Sequence, residues 1–114
     1  MTDGNPLTPA AFQVLLALAN GPGGRAHGYG IMGFVADVTG GAVQLGPGTL
    51  YRTLTRLAAD GLAEEVAGDE EDSRRRYYRI TPAGRTAAAH EAALLARLVD
   101  AADQAGLRVR RESA

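Results

Sequence analysis

The sequence predicts a mainly α chain: three short helices, then a two-stranded hairpin, then one long helix. Three observations predict it. Apolar residues recur at helical spacing in four separate segments. Proline stands at or next to the start of three of them, at Pro9, Pro47 and Pro82. Between the third and fourth segments lie two short runs with strand character, separated by a polar turn.

The first helix is predicted over 8–20. Thr8-Pro9 is a cap followed by proline, and Phe12, Leu15, Leu16 and Ala19 follow at i, i+3, i+4 and i+7. Val14 and Leu18 widen that stripe and predict an extra apolar flank for a partner. Gly21-Pro22-Gly23-Gly24 ends the helix.

His27 reads as a turn residue before a second helix over 28–38. Ile31, Phe34, Val35 and Val38 carry its stripe, and Thr39-Gly40-Gly41 closes it. Tyr29 is expected to start this helix beneath the core. Ala42 to Leu45 is a short extended piece.

The third helix, over 47–59, organises the chain. Leu50, Leu54 and Leu57 form one apolar stripe, with Thr49, Arg52, Thr53 and Arg56 assigned to the other side. Gly61 stops it.

Ala63–Ala67 and Arg75–Ile80 are predicted strands, joined by a polar turn over Gly68–Ser73. Alternation puts Tyr78 and Ile80 on the inner face. The last helix, 82–105, starts at Thr81-Pro82 and carries Leu94, Leu95, Leu98, Val99 and Ala102 as its stripe. At about 1.5 Å per residue it outruns a small domain. Three helices plus a hairpin form the winged helix-turn-helix plan, with the second and third helices as the helix-turn-helix. The expected division is 7–81 for the winged domain and 82–106 for the terminal helix, with 1–6 and 107–114 as disordered tails.

Composition excludes several classes. The chain has 114 residues, which is one domain's worth, and a net charge of −1, so any nucleic-acid reading rests on charge placement. It contains neither Cys nor Lys, so thiolate, disulfide, P-loop-lysine and Schiff-base chemistry have no residues. No apolar run is long enough to span a bilayer, and the opening MTDGNPLTP lacks the basic region of a signal peptide. The expectation is a cytoplasmic protein. Gly28-Tyr29-Gly30-Ile31-Met32-Gly33 matches the dinucleotide fingerprint in letters. It lacks the preceding strand and an acidic residue about twenty positions on. His27 and His90 are isolated, and no GxSxG or HExxH pattern occurs. No enzyme, cofactor or metal site is predicted.

The ordered motifs resemble the PadR family of bacterial transcriptional regulators over about residues 7–106. They are Leu7-Thr8 with Leu15-Leu16-Ala17-Leu18, His27-Gly28-Tyr29-Gly30-Ile31, Pro47–Leu57, Asp60-Gly61-Leu62, Arg75–Thr81 and Gly84-Arg85. The single terminal helix resembles the short subfamily. The resemblance implies a homodimeric repressor that binds double-stranded operator DNA, often released by a small molecule. It also implies that the terminal helix packs on the partner's helices. The dimer residues are then Phe12, Leu16, Leu94, Leu95, Leu98, Val99 and Ala102. Two departures stand out: Gly46 replaces the Ser-like cap of the third helix, and Asp69-Glu70-Glu71-Asp72 makes the wing tip acidic. The acidic tip predicts contact through the arginine-rich strand base instead of deep insertion.

The expected DNA-contacting residues are Thr49, Tyr51, Arg52, Thr53 and Arg56 on the third helix, with Arg74, Arg75, Arg76 and Arg79 on the wing. Arginine, threonine and tyrosine can reach phosphates or base edges. Tyr51 has two open readings, packing on the second helix and a phosphate hydrogen bond. Glu64, Glu65 and the tip acids are possible partners for the wing arginines. A hydrophobic space between two such dimers would admit an apolar or aromatic effector, although Phe12 and Met32 alone do not define a pocket. The alternative function is a winged-helix module that binds a protein or small molecule and not specific DNA.

Overall fold

The computed structural model describes residues 6–68 and 75–107. It contains helix α1 (Pro9–Asn20), a 3-10 turn (Pro22–Gly24), strand β1 (Arg25–His27), α2 (Gly28–Val38), α3 (Pro47–Ala59), β2 (Ala63–Val66), β3 (Tyr77–Ile80) and α4 (Pro82–Gln104). This is the winged helix-turn-helix plan with one additional strand. The sheet is antiparallel in the order β1-β3-β2.

The core forms around α1, which packs against α2, α3, α4 and β3. Val14, Leu15 and Leu18 are fully buried and meet Leu50, Leu54 and Leu57 of α3, Ile31 of α2, and Tyr78 and Ile80 of β3. Each fully buried Leu contributes about 1.5–3 kcal/mol relative to exposure. The stripe on α1 therefore runs through Val14, Leu15, Ala17 and Leu18, while Phe12 and Leu16 are half-buried. This corrects the expectation that Val14 and Leu18 form a spare flank. Because α1 is covered on several sides, they belong to the centre.

The helix ends follow local chemistry. Thr8 and Thr81 accept from the backbone N–H groups of Ala11 and Gly84 at 3.1 and 3.0 Å, capping α1 and α4. Gly46 caps α3 without a side-chain bond. After α3, Gly61 takes a left-handed φ of 77°, its N–H bonds to the Ala58 carbonyl and the Leu62 N–H to the Leu57 carbonyl. That Schellman closure turns the chain directly into β2. Gly106 closes α4 in the same way, with the Leu107 N–H on the Ala102 carbonyl.

Several boundaries differ from expectation. β1 is not among the predicted elements, because three residues carry no period; it exists by pairing Arg25, Ala26 and His27 with Arg79, Tyr78 and Tyr77. β3 begins at Tyr77 and not Arg75, since pairing with both neighbours ends there. Val38 is 61% exposed, so the buried stripe of α2 stops at Val35. Leu7 is held in place by its N–H donating to Glu91 Oε1 at 3.0 Å, with Glu91 buried on α4. The wing tip 69–74 and the termini 1–5 and 108–114 lie outside the described residues, and so do the expectations made for them.

Gly84 marks a close approach between α4 and the Leu62 backbone. A Cβ there would overlap the Leu62 carbonyl oxygen, which accepts from the Thr81 N–H at 3.1 Å. Gly84→Ala is expected to lower the unfolding free energy by about 1–3 kcal/mol, read as a lower urea midpoint at unchanged slope.

Candidate nucleic-acid interface

With its three leucines in the core, α3 turns Thr49, Arg52 and Arg56 to solvent. Arg52 Nη2 donates to Thr49 Oγ1 at 3.4 Å, and Arg56 Nε lies 3.4 Å from Asp60 Oδ2 one turn on. Both contacts are exposed, so water and ions compete with them. Thr53 is half-buried. It follows Leu50 by three residues, about 60° short of a full turn, which puts it on the flank of the apolar stripe and not opposite it.

Tyr51 is 40% exposed, and its hydroxyl lies against Gly28 at the start of α2, where any Cβ would overlap it. Of its two readings, packing on the second helix is seen directly. The hydroxyl also borders a shallow depression of about 400 Å³ lined by His27, Gly28, Tyr29, Tyr51, Arg75 and Arg76. Two phenols and two guanidiniums from three separate parts of the chain thus meet on one surface.

Tyr29 is the residue that the sequence reading misplaced. It is 76% exposed and not beneath the core. The signal was available: Tyr29 precedes Ile31 by two residues, about 200° around the helix.

The wing arginines are held differently from one another. Arg79 donates from Nε and Nη2 to Glu64 Oε2 at 3.1 and 2.8 Å, across a register pair of β2 and β3. Arg76 Nε lies 3.6 Å from Glu65 Oε2. Arg75 Nη1 lies 2.9 Å from His27 Nε2. Arg74 lies outside the described residues.

His27 joins the two halves of this surface. It was read as a turn residue, but its Nδ1 accepts from the Gly30 N–H at 3.3 Å and caps α2. Its ring also meets Tyr77 edge-on, with centroids 5.3 Å apart. One imidazole therefore touches the start of α2, the base of the wing and the middle strand. Histidine is not a usual N-cap, so residue type alone does not mark this one.

On α4, Leu94 and Leu95 are each 38% exposed and Leu98 is 58% exposed, while Val99 and Ala102 are half-buried. The apolar stripe beyond Glu91 has little of its own chain against it. Among the described residues, no group of three or more His, Asp or Glu could hold a metal ion, and no helix is long and apolar enough to cross a membrane.

The fold and the exposed helix place the chain in the class of winged helix-turn-helix transcriptional regulators. Residues 14–90 match the PadR-like family of transcriptional regulators, and the chain belongs to that family. It is similar to an uncharacterized 37.1 kDa protein of a Streptomyces fradiae transposon, 44% identical over 89 residues, or 78% of this chain and 24% of that protein. It is also similar to a transcriptional regulator of Mycobacterium tuberculosis, 52% identical over 44 residues, or 39% of this chain and 41% of that one. The chain thus spans 24% and 41% of these two relatives' lengths. Among solved structures, a transcriptional regulator of Clostridium thermocellum shares the fold at a TM-score of 0.69 and 24% identity, covering 82% of this chain and 89% of that one. The PcaV transcriptional regulator of Streptomyces coelicolor, solved with its natural ligand, matches at 0.61 and 27%, covering 80% and 57%. The family and these neighbours are regulators and not enzymes.

The double role of His27 is separable. Asparagine can cap a helix but is too short to reach Arg75. His27→Asn is expected to keep the unfolding free energy close to the parent, whereas His27→Ala should lose about 1 kcal/mol with the cap, compared by urea titration.

Proposed function

We propose that this protein is a homodimeric, DNA-binding transcriptional regulator, acting as a repressor on a pseudo-palindromic operator. The observation that carries the reading is the convergence of Tyr29, Tyr51, Arg75 and Arg76 beside the solvent face of α3. Thr49, Arg52 and Arg56 would enter the major groove, with Thr53 at the edge of the contact. The two tyrosines and the wing arginines would hold flanking phosphates, since phosphate contacts position a reader and base contacts specify it.

The wing arginines must change partners to do this. Arg76 and Arg79 would exchange Glu65 and Glu64 for phosphates, which is feasible because exposed pairs contribute little. Arg74, beside them in sequence, belongs to the same proposed set. Those ion pairs also favour a second reading, a winged-helix module that binds a protein or ligand and not specific DNA. Salt separates the two, because only phosphate neutralisation releases counterions in proportion to the contacts made.

The stripe of Leu94, Leu95, Leu98, Val99 and Ala102, with Phe12 and Leu16, would bury itself against a second copy. Two-fold symmetry then puts the half-sites about one helical turn apart, or a multiple of it. In this reading 7–81 is the DNA-binding unit and 82–106 the dimerising one. Release by a small effector extends the reading; PcaV, similar in fold, was solved with a natural ligand.

Arg52→Ala/Arg56→Ala is expected to weaken operator binding at least tenfold with unchanged stability, since a bidentate base contact contributes about 1–3 kcal/mol. Unchanged affinity would remove α3 from the interface. Arg75→Ala and Tyr29→Phe should weaken binding to all sequences alike, and Arg75→Ala should flatten the salt slope by about one. Leu94→Asp/Leu98→Asp is expected to give monomers in sedimentation equilibrium; a persistent dimer would place the interface elsewhere.

A further inference from the structure

His27 faces a hydrogen-bond donor at each of its ring nitrogens, and an imidazole cannot accept at both. Nδ1 faces the Gly30 N–H at 3.3 Å, and Nε2 faces Arg75 Nη1 at 2.9 Å. A backbone N–H only donates, and so does a guanidinium. Neutral imidazole has one bare nitrogen and one N–H, and the protonated ring has no bare nitrogen. One of the two contacts is therefore a pair of N–H groups pointing at each other.

Local structure decides which one. The Gly30 N–H belongs to the first turn of α2, where an intrahelical partner does not exist. Nδ1 caps it, so Nδ1 is bare and the proton sits on Nε2. The ring has little freedom to turn away. It meets Tyr77 edge-on, with centroids 5.3 Å apart, and Arg25 covers that same tyrosine, its guanidinium carbon 5.2 Å from the ring centre. An imidazole N–H and a guanidinium N–H thus converge, too close to hold an acceptor between them as they stand.

An acceptor that both can reach completes the arrangement. The depression where they meet is lined also by Tyr29, Tyr51 and Arg76, and none of its lining residues is acidic. On the other side of the ring lies a cavity of about 440 Å³ between the end of α1, β1, α2 and β3, again with no acidic residue in its lining. No carboxylate of either hollow therefore accepts from the Nε2–H. Arg75 is exposed, so its side chain can swing aside to admit an oxygen. We propose that His27 is a DNA-contacting residue, its Nε2–H and Arg75 donating together to one backbone phosphate oxygen. This rests on the DNA-binding reading and adds to it a donor of a different kind. The arginines act as charges, whereas His27 acts as a neutral donor held in place by its cap.

Two experiments on the full chain test it. Long-range proton–nitrogen NMR of the imidazole reads the tautomer, and the Nε2–H form is expected at about pH 8, above the usual range of histidine titration. The Nδ1–H form would mean that Arg75 donates to Nε2, and would overturn the proposal. Inorganic phosphate added at low ionic strength should shift His27 Nε2 and the Arg75 side chain saturably, with chloride as control. Absent shifts, or equal shifts in chloride, would overturn the shared anion site. The second experiment is binding of operator and scrambled duplexes by His27→Asn, which keeps the cap. Affinity for both should fall about tenfold, the scale of one hydrogen bond to a charged acceptor. The salt slope should stay unchanged, because a neutral donor releases no counterion. Unchanged affinity, a loss confined to the operator, or a slope flattened by about one would overturn the role. A chain that bound no duplex would instead refute the DNA reading, and the phosphate titration would still decide whether the two donors share an anion.

Discussion

Contact between α1 and α3 is the constraint on which the rest depends. Leu50, Leu54 and Leu57 are buried in the cluster that Val14, Leu15 and Leu18 share with them. A helix with only one apolar stripe must turn its remaining surface to water. That surface carries Thr49, Arg52 and Arg56 because the leucines occupy the opposite side. The core therefore fixes both the height and the rotation of α3, and α1 in turn sets where α2, α4 and β3 can pack. The exposed threonine and arginine face of α3 follows from core geometry.

The small sheet solves a different problem. A two-stranded hairpin has little to hold it in place, and β1 adds a third strand on the open side of β3. The pairing ties the wing to the start of α2, because β1 runs directly into that helix at His27. His27 then caps α2, meets Tyr77 edge-on and contacts Arg75. The wing and the helix-turn-helix are thereby coupled through one side chain, with a cavity on each side of it.

Much of this was legible in the sequence, for identifiable reasons. The four helices announced themselves through period and punctuation: α2 and α3 fall on the expected spans, and Thr8-Pro9 and Thr81-Pro82 mark real caps. Tyr78 and Ile80 face the core as alternation requires. What stayed hidden is tertiary. β1 is a strand only because β3 lies beside it, and three residues cannot show a period. The centrality of α1 decided that Val14 and Leu18 are buried, and no single helix reveals how many neighbours it has. Tyr29 points to solvent because it lies about 200° around α2 from Ile31. The Arg25–Tyr77 stack and the His27 junction depend on strand register, which the sequence does not display.

The central claim is that this fold reads DNA, and its most direct test is binding of the purified chain to its own upstream promoter. A scrambled duplex of equal length serves as control, with both measured at about 50 mM and 200 mM salt. The account predicts tight binding to the promoter, weaker binding to the scramble, and a steep loss of both as salt rises. Equal, weak binding to the two duplexes with little dependence on salt would contradict it. The exposed face of α3 would then belong to a protein or ligand interface.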